Sequence, residues 1–214
     1  MKNTEKVVEH VAGLVMDVAN ELEANPFLVP VGISARHVHL TKEAVSILFG
    51  SKHSLTFFKK LSQPGQFAAN EQVQIIGPTG SISKVRVLGP ERLACQIEIA
   101  YSDSRTLGII PPVRSSGDIE GTPGIRLVGP EGEVTVDAGV IVAERHIHMS
   151  LEDAKWFGVT QGQQVKIDVL GPKAGIMEKV TVRIDKNYRL DLHIDTDDAN
   201  AFLIRQGEKL RLIK

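Results

Sequence analysis

Two His-x-His pairs are the residues of this chain whose types and spacing point most directly to chemistry: His37 with His39, and His146 with His148. Side chains alternate between the two faces of a β-strand, so the two imidazoles of each pair share one face. Such a pair can bind one metal ion through nitrogen atoms at about 2.0–2.1 Å. One pair alone is weak evidence and is better explained by a chance pair on a solvated strand. Two pairs at equivalent positions of a repeated sequence favour metal binding.

The repeat extends beyond the histidines. The stretch ISARHVHLTKEA, which begins at Ile33, matches VAERHIHMSLEDA, which begins at Val142, at an offset of 109 residues. Further along the chain, QIEIAYSD matches LHIDTDD at an offset of 95 residues. This second match makes Glu98 equivalent to His193. We therefore predict a duplicated domain, with the divide between about residues 110 and 140.

The second match also supplies a third ligand for each pair, because glutamate and histidine both bind zinc and similar metals. The prediction is two sites, formed by His37, His39 and Glu98 and by His146, His148 and His193. Three protein ligands leave one coordination position open, which is typical of catalytic and not of structural zinc. Histidine with carboxylate also suits iron, manganese or cobalt, so the donor set by itself leaves the metal open.

Arg92 is a candidate anion-binding residue beside the first site. It shares strand parity with Glu98 if one strand runs straight through RLACQIE, and its repeat equivalent is Asn187. An arginine beside only one of two metal sites indicates a single asymmetric anion site, with an ordinary surface arginine as the alternative. Cys95 has the opposite parity to Glu98, so we expect it in the core and not as a nucleophile.

The elements that must position these residues are mostly short strands. Segments such as KVRVLGP, CQIEIAY and LDLHID are β-branched and punctuated by turn residues. Short helices are predicted over residues 41–49 and 151–157, the second with a capping box at Ser150 and Asp153. Residues 4–24 predict an amphipathic helix that ends before Pro26. The predicted fold is mainly β, with two duplicated small β-barrel domains, short helices and an N-terminal amphipathic helix.

Composition excludes several classes of partner. The 214 residues carry a net charge of -1, which gives no overall attraction to nucleic acid or to an anionic membrane. No apolar run approaches the length of a membrane span, and acidic residues in the N-terminal stretch exclude an ordinary secretory signal. The single cysteine permits no internal disulfide, which is consistent with a reducing compartment.

Several long motifs resemble those of the PduL-type phosphate acyltransferases, which are associated with bacterial microcompartments. These motifs are GISARHVHL, LSQPGQFAANEQV, VRVLGPERLACQIEIAYSDSRTLGI, GTPGIRLVGP, GVIVAERHIHMS and LDLHIDTDDANA. The resemblance implies a reversible reaction in which a short-chain acyl-CoA (propanoyl-CoA or acetyl-CoA) and phosphate give acyl phosphate and CoA. It also implies two β-barrels with a two-metal site between them, which usually holds two zinc ions per chain.

The resemblance assigns the metal-binding roles to the same six residues and phosphate binding to Arg92. It further implies substrate contacts for Ser34, Lys59, Arg86, Ser116 and Asn200. The two halves are expected to exchange their leading strands, so that residues 36–143 form the first barrel and residues 26–35 with 144–214 form the second. We expect direct acyl transfer at the two-metal site, without an acyl-enzyme.

The resemblance also bears on partners and location. It implies a homodimer in the cytoplasm, in the lumen of a microcompartment for propanediol degradation. Residues 1–25 would then form an encapsulation peptide that docks on shell or cargo proteins, although a helix that packs on its own barrel is the alternative. Two other functions compete: a cupin-like oxygenase or hydrolase with a single metal ion, and a metal-stabilised scaffold protein without CoA binding.

Overall fold

The computed structural model of the protein describes residues 7, 8, 10–16 and 27–214. Strands dominate these residues, as the sequence predicts. The strands of the first half are β1 (Leu28–Ser34), β2 (His37–His39), β3 (Phe57–Lys60), β4 (Phe67–Ile76), β5 (Ser81–Gly89), β6 (Gln96–Glu98), β7 (Val113–Arg114), β8 (Ile125–Val128), β9 (Glu133–Val136) and β10 (Val140–Ala143). Those of the second half are β11 (His146–Met149), β12 (Gln164–Val169), β13 (Gly175–Ile184), β14 (Asp191–Asp195) and β15 (Lys209–Ile213).

Four short helices connect these strands: α1 (Lys42–Phe49), α2 (Tyr101–Leu107), α3 (Leu151–Phe157) and α4 (Thr196–Phe202). Helices α1 and α3 confirm the two predicted helices, and Ser150 and Asp153 form the predicted capping box. Helices α2 and α4 were not predicted: the segments CQIEIAY and LDLHID were interpreted as strands, and the residues that follow them were assigned no element. Asp195 caps α4 by accepting a hydrogen bond at 2.8 Å from the backbone N–H of Asp198, which is a signal present in the sequence.

The second half closes into a barrel with the strand order β1-β14-β11-β13-β12-β15. Its interior is filled by aliphatic side chains on alternate strand positions, among them Val31, Ile147 and Leu192. Full burial of each such side chain stabilises the fold by about 1.5–3 kcal/mol. Because Ile147 points into this core, the histidines on either side of it in β11 point away from it.

The first half forms a nine-stranded sheet in the order β7-β10-β6-β2-β5-β4-β8-β9, with β3 paired to β4. It stays an open half-barrel where the second half closes. In the barrel, β15 pairs with β12 and completes the ring. In the first half, β8 of the hairpin β8–β9 pairs with β4 at the corresponding edge. The two-residue strand β7 at the opposite end of the sheet therefore has no free edge of β4 to pair with, and the sheet stays open. The prediction of a mainly β, barrel-type fold with short helices is confirmed.

Two strands cross between the halves. Strand β1 comes before the first His-x-His pair, yet it lies between β14 and β15 in the barrel. Strand β10 comes before the second pair, yet it lies beside β6 in the open sheet, with Val140 paired to Ile97. Each His-x-His strand therefore begins where the chain passes from one sheet to the other.

The predicted N-terminal helix falls partly within the described residues. Residues 7, 8 and 10–16 are helical and exposed, and the other residues of the predicted range 4–24 lie outside the described part of the chain. Val11, Leu14 and Val15 each expose more than half of their surface. None of the helices that the structure describes is both long and apolar enough to cross a membrane.

Candidate metal centre

The first predicted ligand set is assembled by two neighbouring strands. His37 and His39 lie on β2, and β6 pairs antiparallel to it with Glu98 directly opposite His37. The Nε2 atom of His37 lies 3.4 Å from one carboxylate oxygen of Glu98, and that of His39 lies 3.9 Å from the other. Two ligands of a tetrahedral zinc ion are about 3.4 Å apart. This trio can therefore hold a metal ion with little movement.

The second ligand set repeats this arrangement in the barrel. His193 on β14 lies directly opposite His146 on the antiparallel strand β11. The ring centroids of His146 and His148 lie 5.1 and 4.7 Å from that of His193. In each trio, the candidate ligand atoms all lie within 4.8 Å of one another. The duplication inferred from the sequence thus corresponds to two three-ligand clusters with the same register.

The strand crossings explain why both clusters face each other. Only residues 35–36 separate β1 from β2, and only residues 144–145 separate β10 from β11. Two extended residues span at most about 7 Å. The His-x-His pair of each half must therefore lie next to the other half. All six candidate ligands line a single cavity of about 720 Å³ between the two halves.

Backbone carbonyls orient the first histidine of each pair. The Nδ1–H of His37 donates to the carbonyl of Ala35 at 2.9 Å, and that of His146 donates to the carbonyl of Glu144 at 2.8 Å. Each hydrogen bond leaves the Nε2 lone pair free to bind a metal ion.

The second histidine of each pair carries a buried ring nitrogen whose hydrogen-bonding capacity is unused. The Nδ1 atoms of His39 and His148 have no hydrogen-bond partner within the described part of the chain. A buried polar atom without a partner is costly in a folded protein. Both clusters contain such an atom, which is consistent with histidines that bind a metal ion.

Burial keeps three of the imidazoles neutral. It lowers the pKa of His39 to about 3, with the charges of His37 and Arg92 acting in the same direction. Burial and neighbouring imidazoles lower the pKa of His146 to about 4 and that of His148 to about 2. At neutral pH these rings carry no proton that a metal ion would have to displace.

In the first trio, a histidine and a carboxylate compensate each other. Burial opposes both charges, but the attraction between them lowers the pKa of Glu98 and raises the pKa of His37. The carboxylate is therefore ionised at neutral pH. Two imidazoles with one carboxylate are a donor set that suits zinc and other divalent metals, so the residues present fit the implied metal ions.

A second pair of equivalent residues orients the third ligand of each trio. Gln96 is buried and donates to a carboxylate oxygen of Glu98 at 2.6 Å. Asp191, which lies 95 positions further on, is also buried and accepts a hydrogen bond at 2.8 Å from Nε2 of His193. Of these two candidate ligands, the carboxylate thus has an amide donor, and the histidine has a carboxylate acceptor. Such outer contacts fix the orientation of metal ligands.

A duplicated ion pair ties each His-x-His strand to the helix that follows the third ligand. The guanidinium of Arg36 lies 2.7 Å from the carboxylate of Asp103, and that of Arg145 lies 2.6 Å from Asp198. Each arginine comes directly before a His-x-His pair, and each aspartate lies in the first turn of α2 or α4. Both copies of the repeat therefore contain this ion pair as well as the candidate ligands.

The cavity brings together most of the other predicted site residues. Those that line it are Ser34, Lys59, Arg86, Arg92 and Ser116. Asn200 does not line it and is exposed on α4, so its substrate contact stays a prediction. The guanidinium of Arg86 donates to two backbone carbonyls, at 2.9 and 3.0 Å, and lies over the ring of Phe58.

Arg92 reaches the cavity by a different route from the one predicted. Strand β6 begins only at Gln96, so no straight strand joins Arg92 to Glu98 and the parity argument was wrong. A bend brings the guanidinium to Ser116, whose hydroxyl oxygen accepts its hydrogen bond at 3.1 Å. The same hydroxyl donates to Glu98 at 3.2 Å, which links Arg92 to the first trio.

Cys95 is half-buried at the edge of the first-half core, where the prediction placed it in the core itself. It is not among the residues that line the cavity. The expectation that this thiol is not the nucleophile is consistent with that position.

Sequence reasoning missed several cavity residues. Arg183 and Tyr188 line the cavity, and the ring of Tyr188 lies 4.4 Å from that of His148. The alternation in VTVRID already placed Arg183 on the strand face opposite to Val182. It did not show that β13 pairs with β11 and brings Arg183 beside His148.

Comparison with known proteins gives one consistent result. A family model described as phosphate propanoyltransferase matches residues 30–205. The phosphate propanoyltransferase of Rhodobacter capsulatus is 50% identical over 201 residues, which cover 94% of this chain and 93% of the relative. The protein of the same name from Thermotoga maritima is 45% identical over 201 residues, covering 94% and 95%. That of Alkaliphilus metalliredigens is 42% identical over 210 residues, covering 98% and 99%.

Proposed function

The chain belongs to the phosphate propanoyltransferase family and is an acyltransferase, and from this premise we propose that it interconverts a short-chain acyl-CoA and phosphate with acyl phosphate and CoA at a two-metal site. The observation that carries the proposal is the single cavity lined by both three-ligand clusters and by Arg92. Membership of an acyltransferase family argues against the cupin-like oxygenase or hydrolase and the scaffold protein.

The proposed chemistry is direct transfer. An oxygen of phosphate forms a bond to the acyl carbon, the C–S bond of the thioester breaks, and CoA leaves as a thiolate. In the net balance, the proton of hydrogen phosphate goes to the sulfur. Metal ions bound by the two trios would supply Lewis-acid stabilisation of the thiolate and of the phosphoryl oxygens. We propose two zinc ions per chain, and other divalent metals fit the same ligands.

The protein's own groups position the reactants and stabilise charge. The guanidinium of Arg92, held by Ser116, would bind phosphoryl oxygens and stabilise the negative charge that develops on the acyl oxygen. Ser34, Lys59, Arg86 and, by resemblance alone, Asn200 are the proposed contacts of the substrates. Both substrates are anionic, so their orientation in one cavity accounts for much of the expected rate enhancement.

The test is phosphate-dependent thioester exchange. Purified protein receives propanoyl phosphate and CoA, and thioester formation is followed by absorbance before and after the metal is removed. We expect formation that stops when the metal is removed and returns when zinc is added. Folded, zinc-loaded protein that makes no thioester from propanoyl or acetyl phosphate would overturn the proposal. Activity that persists after complete metal removal would refute the two-metal part alone.

Three further proposals concern organisation and location. We propose the predicted division into residues 36–143 and residues 26–35 with 144–214, which the positions of β1 and β10 support. A homodimer is proposed from the resemblance, and a monomeric mass in light scattering would contradict it. We also propose that the chain acts in the cytoplasm, in the lumen of a microcompartment.

The exposed apolar side chains of the N-terminal segment support a docking role for it: Val7, Val8, Val11, Leu14, Val15 and Met16. A helix with an uncovered apolar face can bind a groove on another protein. Deletion of residues 1–25 should abolish encapsulation with shell proteins while leaving thioester formation intact. Unchanged encapsulation of the shortened chain would exclude this role.

A further inference from the structure

Arg183 is a cavity-lining cation that the mechanism above does not use. It lies on β13 beside His148 of the second trio, in parallel register, and it is half-buried. In the first half, β2 and β5 pair His37 with Arg86 and Val38 with Val87, so the next position of β5, which corresponds to Arg183, is Leu88. The repeat therefore adds a positive charge to the second site at a place where the first site has an aliphatic side chain.

Within the described part of the chain, no ion pair neutralises this charge. No carboxylate oxygen of those residues lies within 4.0 Å of the Arg183 guanidinium, which makes no side-chain hydrogen bond to them. The two other carboxylates on the cavity wall have their own partners: Glu144 accepts from Ser115 and Thr181, and Asp195 caps α4. A half-buried guanidinium without a hydrogen-bond acceptor can bind an anion that is not part of the chain.

The second trio increases the need for an anion. The first trio contains the ionised Glu98, which faces Arg92, whereas the second consists of three imidazoles. The charge of Arg183 acts, after burial and the neighbouring imidazoles, to lower the pKa of His148. Burial and the charge of Arg183 both lower the pKa of Arg92. The two guanidinium groups therefore repel each other across the cavity. An anion between them would relieve that repulsion.

We infer that Arg183 binds the phosphoryl dianion together with Arg92, so that one guanidinium from each half holds the phosphate on the side of the second trio. This inference rests on the proposed function, because it takes phosphate as a substrate of the same cavity. It makes Arg183 a substrate-binding residue and assigns the phosphoryl group to the barrel side. The thioester sulfur then lies on the side of Glu98.

The test compares Arg183→Ala and Arg183→Lys with wild type in two measurements. The first is the KM for phosphate and the KM for propanoyl-CoA. The second is the Kd of inorganic phosphate, measured by calorimetry on the metal-loaded chain without the other substrate. For Arg183→Ala we expect the KM and Kd of phosphate to rise about 10–100-fold, because a charge-assisted hydrogen bond that contributes about 1.5–3 kcal/mol is lost. The KM for propanoyl-CoA should stay within about threefold.

Arg183→Lys keeps the charge and loses the planar fork, so its phosphate Kd should lie between those of wild type and Arg183→Ala. Arg205→Ala is the matched control, because Arg205 is an exposed arginine of the same half outside the cavity, and it should behave as wild type. Metal content is measured for each variant, and the comparison uses variants that keep two equivalents. Arg183→Lys serves if Arg183→Ala does not fold.

Two results would overturn the inference: an unchanged phosphate Kd in folded, metal-loaded variants, or a rise confined to the KM for propanoyl-CoA. The proposed function fails separately. If wild type makes no thioester but binds phosphate, and Arg183→Ala loses that binding, the anion site stands and the transferase reaction does not.

Discussion

Removal of the Asp191 carboxylate should weaken metal binding at the second trio alone. Asp191 is 5% exposed and makes one hydrogen bond of 2.8 Å to His193. A hydrogen bond to a charged group contributes about 1.5–3 kcal/mol, and about 1.4 kcal/mol corresponds to a tenfold change in Kd. Asp191→Ala should therefore raise the Kd of the second site about 10–100-fold, the usual range for such outer contacts.

Asp191→Asn provides a graded comparison. The amide oxygen can still accept the hydrogen bond from His193, but without charge the bond has about half its strength. The expected increase in Kd is therefore about fivefold to tenfold. A methyl group at Gly32 would lie 2.8 Å from an Asp191 carboxylate oxygen, so Gly32→Ala should disturb the same contact from the neighbouring strand.

The assay is a zinc titration against a chromophoric chelator, in a background that carries His37→Ala and His39→Ala so that only the second trio binds. Cobalt substitution gives an absorption spectrum that reports the ligand geometry directly. Asp168→Asn is the control, because Asp168 is a carboxylate of the same barrel that pairs with Arg211 outside the cavity. A wild-type Kd in both Asp191 variants would refute the assignment of this residue as the partner that orients His193.

Three other outcomes follow from the same geometry. Arg92→Ala should lower phosphate-dependent turnover about 10²–10³-fold and leave two metal ions bound, as measured by initial rates and metal analysis; full activity would remove Arg92 from the mechanism. Glu71 is buried, and hydrogen bonds from a neighbouring loop outweigh the effect of burial and lower the pKa of its carboxyl group. The ionised carboxylate therefore stabilises the fold fully above pH 4.5, and this stabilisation is lost as the pH falls through the lowered folded-state pKa. Urea denaturation of metal-free protein should therefore show Glu71→Gln as less stable than wild type at neutral pH and the difference shrinking below about pH 4.5; a constant difference would contradict the assigned pKa. Asp103→Asn, which breaks the pair with the half-exposed Arg36, should lower the free energy of unfolding by about 1–2 kcal/mol, whereas Asp118→Asn at an exposed pair should lower it by less than about 1 kcal/mol. Equal losses of unfolding free energy in these two variants would show that the pair of Arg36 and Asp103 does not stabilise the position of β2.

The local parts of the site could be predicted because their rules act within one strand or one turn. Alternation along a strand places His37 with His39 on one face, and side chains on the other face fill the core. A serine three residues before an aspartate was sufficient to place the start of α3. The duplication then identified Glu98 and His193 as equivalents, and no knowledge of their spatial neighbours was needed.

The parts that failed depend on the path of the chain between strands. Strand parity would place Arg92 beside Glu98 only on a straight strand, whereas the bend before Gln96 and the contact with Ser116 decide where its guanidinium lies. Asp191 was not identified, because its partner follows from the side-chain geometry of His193. The open first sheet depends on which strand occupies the edge of β4, and the repeat gives no information about that choice.

The sequence by itself determined the candidate residues and the family: six candidate ligands in two equivalent sets, of residue types that suit a divalent metal, in a chain of the phosphate propanoyltransferase family. Tertiary structure alone decided which groups lie together. The two-residue crossings bring both sets to one cavity, and the pairing of β11 with β13 adds Arg183 to it. Periodicity is a property of consecutive residues, so it can be read along the chain. Register between distant strands is set by the packing of two cores against each other, and that packing exists only in the folded protein.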